Sequence, residues 1–230
     1  LIDAVEKIEG VKSARILYLY PTTTSNALIE RIISSSVFHN YFDMPIQHIS
    51  DSMLKRMKRG AGRERIIEQL EMMRKAPNSF IRTSFIVGHP GESEEEFEEL
   101  LAFTKAFDFD RINIFAYSDE EDTSAYEMEG KIDTKTINKR IKKLDKIVKT
   151  KTQKSFEARV GKDVLILIEG ESSEHEFFMG ARELLWAPNI DGEILVNDSD
   201  IEDVRVGGCY RAKISECAGD KLIATITDVA

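Results

Sequence analysis

Cysteine is scarce: Cys209 and Cys217 are the only two in 230 residues. Two cannot build a disulfide framework, and with no histidine near them they make no zinc pattern, so both are expected to act as small buried hydrophobes. Long apolar runs are missing as well. No stretch approaches the roughly 20 apolar residues needed to span a bilayer, and no basic-then-apolar leader opens the chain. These absences point to a non-membrane protein with a cytoplasmic location as the default. Internal repeats and low-complexity segments are also lacking. So is an initiating methionine: the chain opens on Leu1, and residues 1–9 read as a helix already under way, as expected of a piece of a longer protein.

What is present suffices for a real core. With 42% hydrophobic and 32% charged residues, the chain fits one large domain or two smaller ones. The net charge of -9 is unevenly placed, because residues 161–230 hold 6 Lys+Arg against 15 Asp+Glu while the preceding residues balance. An acidic surface repels phosphate backbones and favours basic partners, although the same imbalance also serves solubility.

Strand-like and helix-like segments alternate through the first part, which implies a parallel sheet. Strands are expected at 15–20, 41–46, 81–87 and 111–117. Helices are expected at 25–35, 52–57, 62–74 and 133–156, the last with Ile137, Ile141, Leu144 and Val148 as its buried stripe. Four strands are too few for a closed eight-stranded barrel, so the fold class is α/β with a partial, TIM-like parallel barrel over residues 1–158. After Arg159 the helices stop. Five short strands, at 163–169, 176–183, 193–196, 210–215 and 222–227, are separated by turn signals such as Asn189-Ile190-Asp191-Gly192 and Gly219-Asp220. They predict a small antiparallel OB-like β-barrel over residues 160–230.

The most informative stretch is Ile81-Arg82-Thr83-Ser84-Phe85-Ile86-Val87-Gly88-His89-Pro90-Gly91-Glu92. A mostly apolar run suited to a covered strand ends in a Gly-x-Pro-Gly turn, whose glycines permit backbone angles and close approaches that a side chain forbids. Ser93 with Glu96 then forms a capping box, ahead of a helix that buries Phe97, Leu100, Leu101 and Thr104. Parallel sheets bind ligands at the carboxyl ends of their strands, which selects Tyr20, Gln47, His48, Gly88, His89 and Tyr117. His89, on a turn, is expected to face water. Arg82 can pair with a carboxylate inside the barrel or cap its bottom. Lys55, Arg56, Lys58 and Arg59 form a basic run that is as well read as a solvated helix face. Asp119 and Glu120 belong to an acidic loop at the mouth, suited to attracting a basic substrate. Trp186 is read either as an exposed anchor for a partner or as core.

Together these wordings resemble the radical S-adenosylmethionine methylthiotransferase family over nearly the whole chain. The resemblance rests on Tyr18-Leu19-Tyr20-Pro21, Tyr41-Phe42-Asp43-Met44-Pro45-Ile46-Gln47-His48, Leu54-Lys55-Arg56-Met57 with Arg59, the Arg82 to Glu92 stretch, Tyr117-Ser118-Asp119-Glu120-Glu121-Asp122-Thr123, and Ala187-Pro188-Asn189-Ile190-Asp191-Gly192. Within the family, the segments 42–48 and 189–192 are more similar to the branch that modifies a ribosomal protein than to the transfer-RNA-modifying branch.

The resemblance implies transfer of a methylthio group to the β-carbon of an aspartate of small-subunit ribosomal protein S twelve, with the final barrel as a substrate-binding TRAM domain. It implies S-adenosyl-L-methionine held by Gln47, His48, Arg82, Ile86, Val87, Gly88 and Tyr117, with the adenine against the 86–88 backbone. Substrate contacts are expected from Arg59, Asp119, Glu120 and Trp186. It also implies two 4Fe-4S clusters in the full-length protein. Their cysteine motifs are absent from this chain, which therefore should hold no metal and be inactive alone. The sequence names neither the reductant nor the sulfur donor, and the acidic barrel is not expected to bind nucleic acid directly. A transfer-RNA (adenosine) methylthiotransferase segment and a non-enzymatic protein-binding module are the competing readings.

Overall fold

Apolar strands separated by amphipathic helices give a sheet covered on both faces, and β1 (Ala14–Ile16), β2 (Phe38–Asp43), β3 (Phe80–Val87) and β4 (Arg111–Ala116) pair in that order, all parallel. The computed structural model describes residues 1–230. It falls into two compact units, Leu1–Lys149 and Thr150–Ala230.

The first unit carries α1 (Ile2–Val5), α2 (Asn26–Ile33), α3 (Asp51–Arg56), α4 (Arg63–Arg74), α5 (Glu94–Ala106) and the start of α6 (Thr134–Glu157). Its core joins sheet and helices through residues such as Ile29, Phe42, Ile46, Leu70, Phe85, Phe97, Leu100 and Leu144. Two helix starts follow from the sequence. Ser25 accepts from the Leu28 N–H, and Ser93 with Glu96 forms a reciprocal capping box at α5.

Two strands differ from expectation, and both end early at the sheet's carboxyl end. β1 stops at Ile16 rather than Tyr20, because Tyr18 takes φ +60 and the Tyr18 N–H turns to the Asp43 carboxylate. β2 starts at Phe38 and ends at Asp43, three residues earlier than the apolar pattern suggests. Beyond it the chain stays beside β3 without a continuous ladder: Met44 N–H donates to Arg82 O, Pro45 has no N–H to give, and Gln47 re-pairs with Phe85 as an isolated bridge.

In the second unit β5 (Asp163–Glu171), β6 (Met179–Glu183), β7 (Ile194–Ser199), β8 (Cys209–Ala218) and β9 (Lys221–Val229) close in the ring order β5-β6-β7-β9-β8. Four seams are antiparallel, but β7 and β9 run parallel. The expected all-antiparallel barrel is thus a mixed one, since the β8–β9 hairpin places β9 rather than β8 against β7. Ile166, Ile168, Ile194, Val196, Ala212, Ile214, Ala224 and Ile226 fill its interior.

Trp186 is core. It is 1% exposed, lies 6.1 Å from Phe156 in a stacked arrangement, and has the Arg159 guanidinium over its ring. The exposed-anchor reading is therefore corrected: burying the indole fixes the end of α6 against the barrel. The cysteines also depart from expectation, since both are only half-buried. They lie eight residues apart on β8, a separation of roughly 26 Å along an extended strand.

Candidate functional site

Strand alternation sends Arg82, Ser84 and Ile86 of β3 to one face, beside Asn113 and Phe115 of β4. At the carboxyl end of this face lie two adjoining cavities. The larger, about 450 Å³, is lined by Gln47, Arg56, Met57, Arg59, Ile86, His89, residues 115–118 and residues 123–125. The smaller, about 270 Å³, is lined by Tyr18, Leu19, Tyr20, Asp43, Pro45, Arg82, Ser84 and Asn113. Gln47, Arg59 and Phe115 border both.

Gln47 is held in the left-handed region at φ +70. Its N–H donates to Ser84 O and its carbonyl accepts from Ile86 N–H, each at 2.9 Å, so the backbone cannot swing away. The side-chain Oε1 is buried and has no hydrogen-bond partner. Arg59 is positioned by Leu54 O, which accepts its N–H at 2.9 Å, and by Tyr20 and Thr22, whose hydroxyls donate to its carbonyl at 3.1 and 2.8 Å. Its Nη2 donates to Pro45 O at 2.7 Å, and its Cζ sits 4.4 Å from the Tyr20 ring centroid. Burial lowers its pKa from the usual arginine value, and Tyr20 partly offsets this.

His89 was expected to face water, and the structure corrects this: it is 6% exposed and lines the larger cavity. Its Nδ1 lies 3.1 Å from Pro90 O, and its ring meets Tyr117 edge-on at 5.3 Å. Burial pushes the imidazole pKa down, which keeps the ring neutral at neutral pH.

Other expected residues are placed differently. His48, Val87 and Gly88 line neither cavity. His48 is fully buried; its Nδ1 accepts from Ser50 N–H at 3.0 Å, which leaves the proton on Nε2, 3.4 Å from Glu92 Oε1. Glu92 Oε2 accepts from Gly88 N–H at 2.9 Å and from Arg140 Nη1 at 2.6 Å. One buried carboxylate thus joins the segment after β2, the turn after β3 and α6. Gly88 stands at φ +88, and a Cβ there would lie 2.5 Å from the Ile137 side chain, so its glycine is required by the helix behind it.

Arg82 faces the smaller cavity with its Nη1 3.5 Å from Asp43 Oδ2, the inward carboxylate partner anticipated for it. Asp119 and Glu120 are exposed and border neither cavity. Asp119 accepts from Tyr117 OH at 2.8 Å and pairs with Lys131, which holds its carboxyl below the usual range, while Glu120 accepts from Ser118 at 2.7 Å.

Phe115 and the 123–125 segment were missed from the sequence. The register of β3 against β4 identifies Phe115, since Ile86 opposes it directly. Arg56 was grouped with solvated charge, yet both its terminal nitrogens reach Glu96, at 3.1 and 3.0 Å.

In the second unit, a groove of about 600 Å³ is lined by Glu169, Glu171, Glu193 and Asp220, with Lys221 as its one cation. Lys221 is itself held by Glu193 and Glu174 at 2.8 and 2.6 Å.

The orphaned Gln47 Oε1 and Arg59 Nε at the cavity wall fit a polar, nucleoside-sized ligand such as S-adenosylmethionine. An iron-sulfur cluster is not matched by this chain's own residues, because Cys209 and Cys217 cannot converge and no group of three or more His, Cys, Asp or Glu is placed to hold a metal ion. No helix is long and apolar enough to cross a membrane.

The Radical SAM superfamily profile matches residues 2–104 and the TRAM domain profile residues 160–227. The chain thus carries a radical SAM superfamily segment, followed in sequence by a TRAM domain. Within that class it is 58% identical over 226 residues to the ribosomal protein uS12 methylthiotransferase RimO of Sulfurimonas denitrificans, covering 98% of this chain and 52% of that protein. The proteins of the same name from Wolinella succinogenes and Campylobacter jejuni strain RM1221 are 56% and 57% identical, over 99% and 97% of this chain and 52% and 51% of theirs. The chain thus spans about half the length of the curated relatives it matches.

Proposed function

We propose that this chain is the ligand-binding portion of a methylthiotransferase that replaces a β-carbon hydrogen of an aspartate in ribosomal protein uS12 with a methylthio group. The carrying observation is the 56–58% identity, over nearly the whole chain, to proteins named for that activity. In support, the cavities at the sheet's carboxyl end join a buried amide oxygen, a half-buried guanidinium and an aromatic wall.

S-adenosylmethionine, bound here and given one electron by a reduced iron-sulfur cluster held by residues outside this chain, would supply radical chemistry able to act on an unactivated C–H bond. Gln47, Ile86 and Tyr117 line the larger cavity and are assigned to its nucleoside. The 86–88 backbone sets the depth of that surface, and the Glu92 carboxylate holds Gly88 in place. His48 and Val87 act from behind, as buried supports. Arg82, paired with Asp43, shapes the smaller cavity, and Arg59 stands between the two. Neutral His89 offers a hydrogen-bonding edge without adding a positive charge beside a sulfonium. Phe115, which is exposed, and Tyr117 offer aromatic surface that a bound ligand would cover, and covering it would keep water from a reactive species. No residue of the chain is assigned a proton-transfer step.

The acidic barrel favours a basic polypeptide over RNA. Its groove gathers four carboxylates around a single, already paired lysine. Asp119 and Glu120 add negative charge near the mouth of the sheet. The transfer-RNA reading needs a basic, aromatic-bearing barrel surface, and the local charge of -9 opposes it.

The test is mass spectrometry of uS12 after incubation with the full-length, cluster-replete protein under reducing conditions. The expected result is the mass gain of one methylthio group on a single aspartate. An unmodified uS12 alongside a modified transfer RNA would overturn the assignment.

A further inference from the structure

From Thr134 to Lys149, α6 has seven Lys+Arg against a single acid, Asp145. Two of the seven serve the fold. Arg140 pairs with Glu92 and Glu94, and Lys143 with Glu94 and Glu98, which ties α6 to the start of α5. The other five, Lys135, Lys139, Lys142, Lys146 and Lys149, recur at alternating intervals of four and three residues, and all are exposed. At about 100° per residue they share one arc of roughly 80° on the helix. That arc lies opposite Ile137, Ile141 and Leu144, which pack inward.

Nothing within the helix favours this stripe. Like charges one turn apart repel, and a cation in the first turn opposes the helix dipole, with no acid there to offset it. Lys135, Lys139 and Lys142 meet no carboxylate, and Lys149 meets only Asp145, at 2.8 Å on the surface. Elsewhere in the unit the helices pair their arginines: Arg31 with Glu6, Arg56 with Glu96, Arg63 with Glu99 and Arg74 with Asp110. A face that serves solubility intersperses both signs, whereas a row of one sign attracts a polymer of the other. The arc holds no aromatic residue on which a base could stack, so it suits a phosphate backbone read without regard to sequence. It does not suit a membrane, because the apolar residues of this stretch are already spent on the core.

We infer that the outer face of α6 is a docking surface for RNA, its lysines meeting successive backbone phosphates. The stripe runs about 21 Å along the helix axis. Choosing RNA among polyanions rests on the proposed function, which directs the chain to a ribosomal protein, a target that lies among RNA. The face therefore favours uS12 presented with ribosomal RNA over the free protein. Bulk charge gives no help, since the chain totals -9, so the attraction is local to the stripe.

The experiment measures fluorescence anisotropy of an RNA duplex of about 20 base pairs with the 230-residue chain, between roughly 50 and 200 mM potassium chloride. Five lysines, each releasing roughly 0.7–0.9 counterions, give an expected slope of log affinity on log salt of about -4. Two duplexes of unrelated sequence should bind alike. The triple variant Lys135→Gln, Lys139→Gln, Lys142→Gln should lose about 2–3 from the slope and bind about tenfold or more weakly. Lys7→Gln, Lys12→Gln, Lys75→Gln removes as many exposed lysines elsewhere in the unit and should leave the slope unchanged. In the full-length, cluster-replete protein, the α6 triple should raise KM for uS12 within small ribosomal subunits about tenfold and leave KM for free uS12 unaltered.

Equal losses in the two triples overturn the face, because net charge alone then acts. Tighter binding to phosphatidylglycerol vesicles than to the duplex overturns it as well. If uS12 is modified but the α6 triple binds the duplex as wild type does, the RNA face fails while the proposed function stands. If uS12 stays unmodified in every form while the α6 triple still loses its slope, the RNA face stands and the proposed function fails. Matched thermal unfolding of the variants and wild type controls for folding.

Discussion

At the scale of single residues, the mouth of the sheet is built from backbone conformations that most side chains avoid. Gln47 at φ +70, bridged to Phe85 of β3, is pinned by Ser84 O and Ile86 N–H, and Gly88 at φ +88, just past β3, is pinned by the Glu92 carboxylate of its own turn. Gly88→Ala should be costly on two counts, the left-handed angle and the 2.5 Å approach of Ile137, for a loss of about 2–4 kcal/mol in chemical denaturation. Gln47→Gly removes the angular strain and the orphaned amide together. It should leave stability nearly unchanged while weakening S-adenosylmethionine binding in calorimetry. His89 gives a pH signature. Because burial lowers its pKa, protonation comes only at acidic pH, and ligand affinity should hold through neutral pH and drop below the ordinary histidine range. His89→Asn should remove that acidic limb in a binding titration.

At the scale of elements, one carboxylate organises α5. Burial alone would raise the Glu96 pKa, but Arg56, Ser52 and the Ser93 N–H outweigh it and bring it to about 2. A folded value below the unfolded one means that this stabilisation is complete above about pH 4.5 and is lost as the pH falls toward 2. After allowance for solvent screening it amounts to about 1–2 kcal/mol. Glu96→Gln should flatten the acid limb of the stability curve measured by denaturant titration.

The capping box was legible because Ser93 and Glu96 act within a single turn, where sequence spacing equals spatial spacing. The same locality made the long helices readable, and the alternation of strands with helices made the parallel sheet readable. Trp186 was not readable, since its burial depends on Phe156, thirty residues away, and on a barrel that must first close. Nor were the ends of β1, set where Asp43 draws in the Tyr18 and Leu19 N–H groups, and of β2, where Pro45 interrupts the ladder. His89 looked like a turn residue, and its burial depends on tertiary packing, Tyr117 among its neighbours.

At the scale of the whole molecule, charge and burial are divided between two units. All the net charge lies in residues 161–230, so association with a basic uS12 segment should weaken steeply between about 50 and 300 mM salt as screening shortens the field, measured by fluorescence anisotropy. A transfer RNA should show no comparable binding at the barrel. Trp186→Ala should destabilise the second unit by about 3–5 kcal/mol, read from hydrogen exchange in β5 to β9, while exchange in β3 stays slow.

The parallel contact of β7 with β9 completes a ring in which every strand has two neighbours. Such a wall offers no open strand edge, so it gives a visiting polypeptide no place to enlist as an extra strand. Whatever docks on it must be chosen by the side chains the ring displays. A handful of lysines exchanged for its glutamates would therefore redirect its choice of company without touching its architecture.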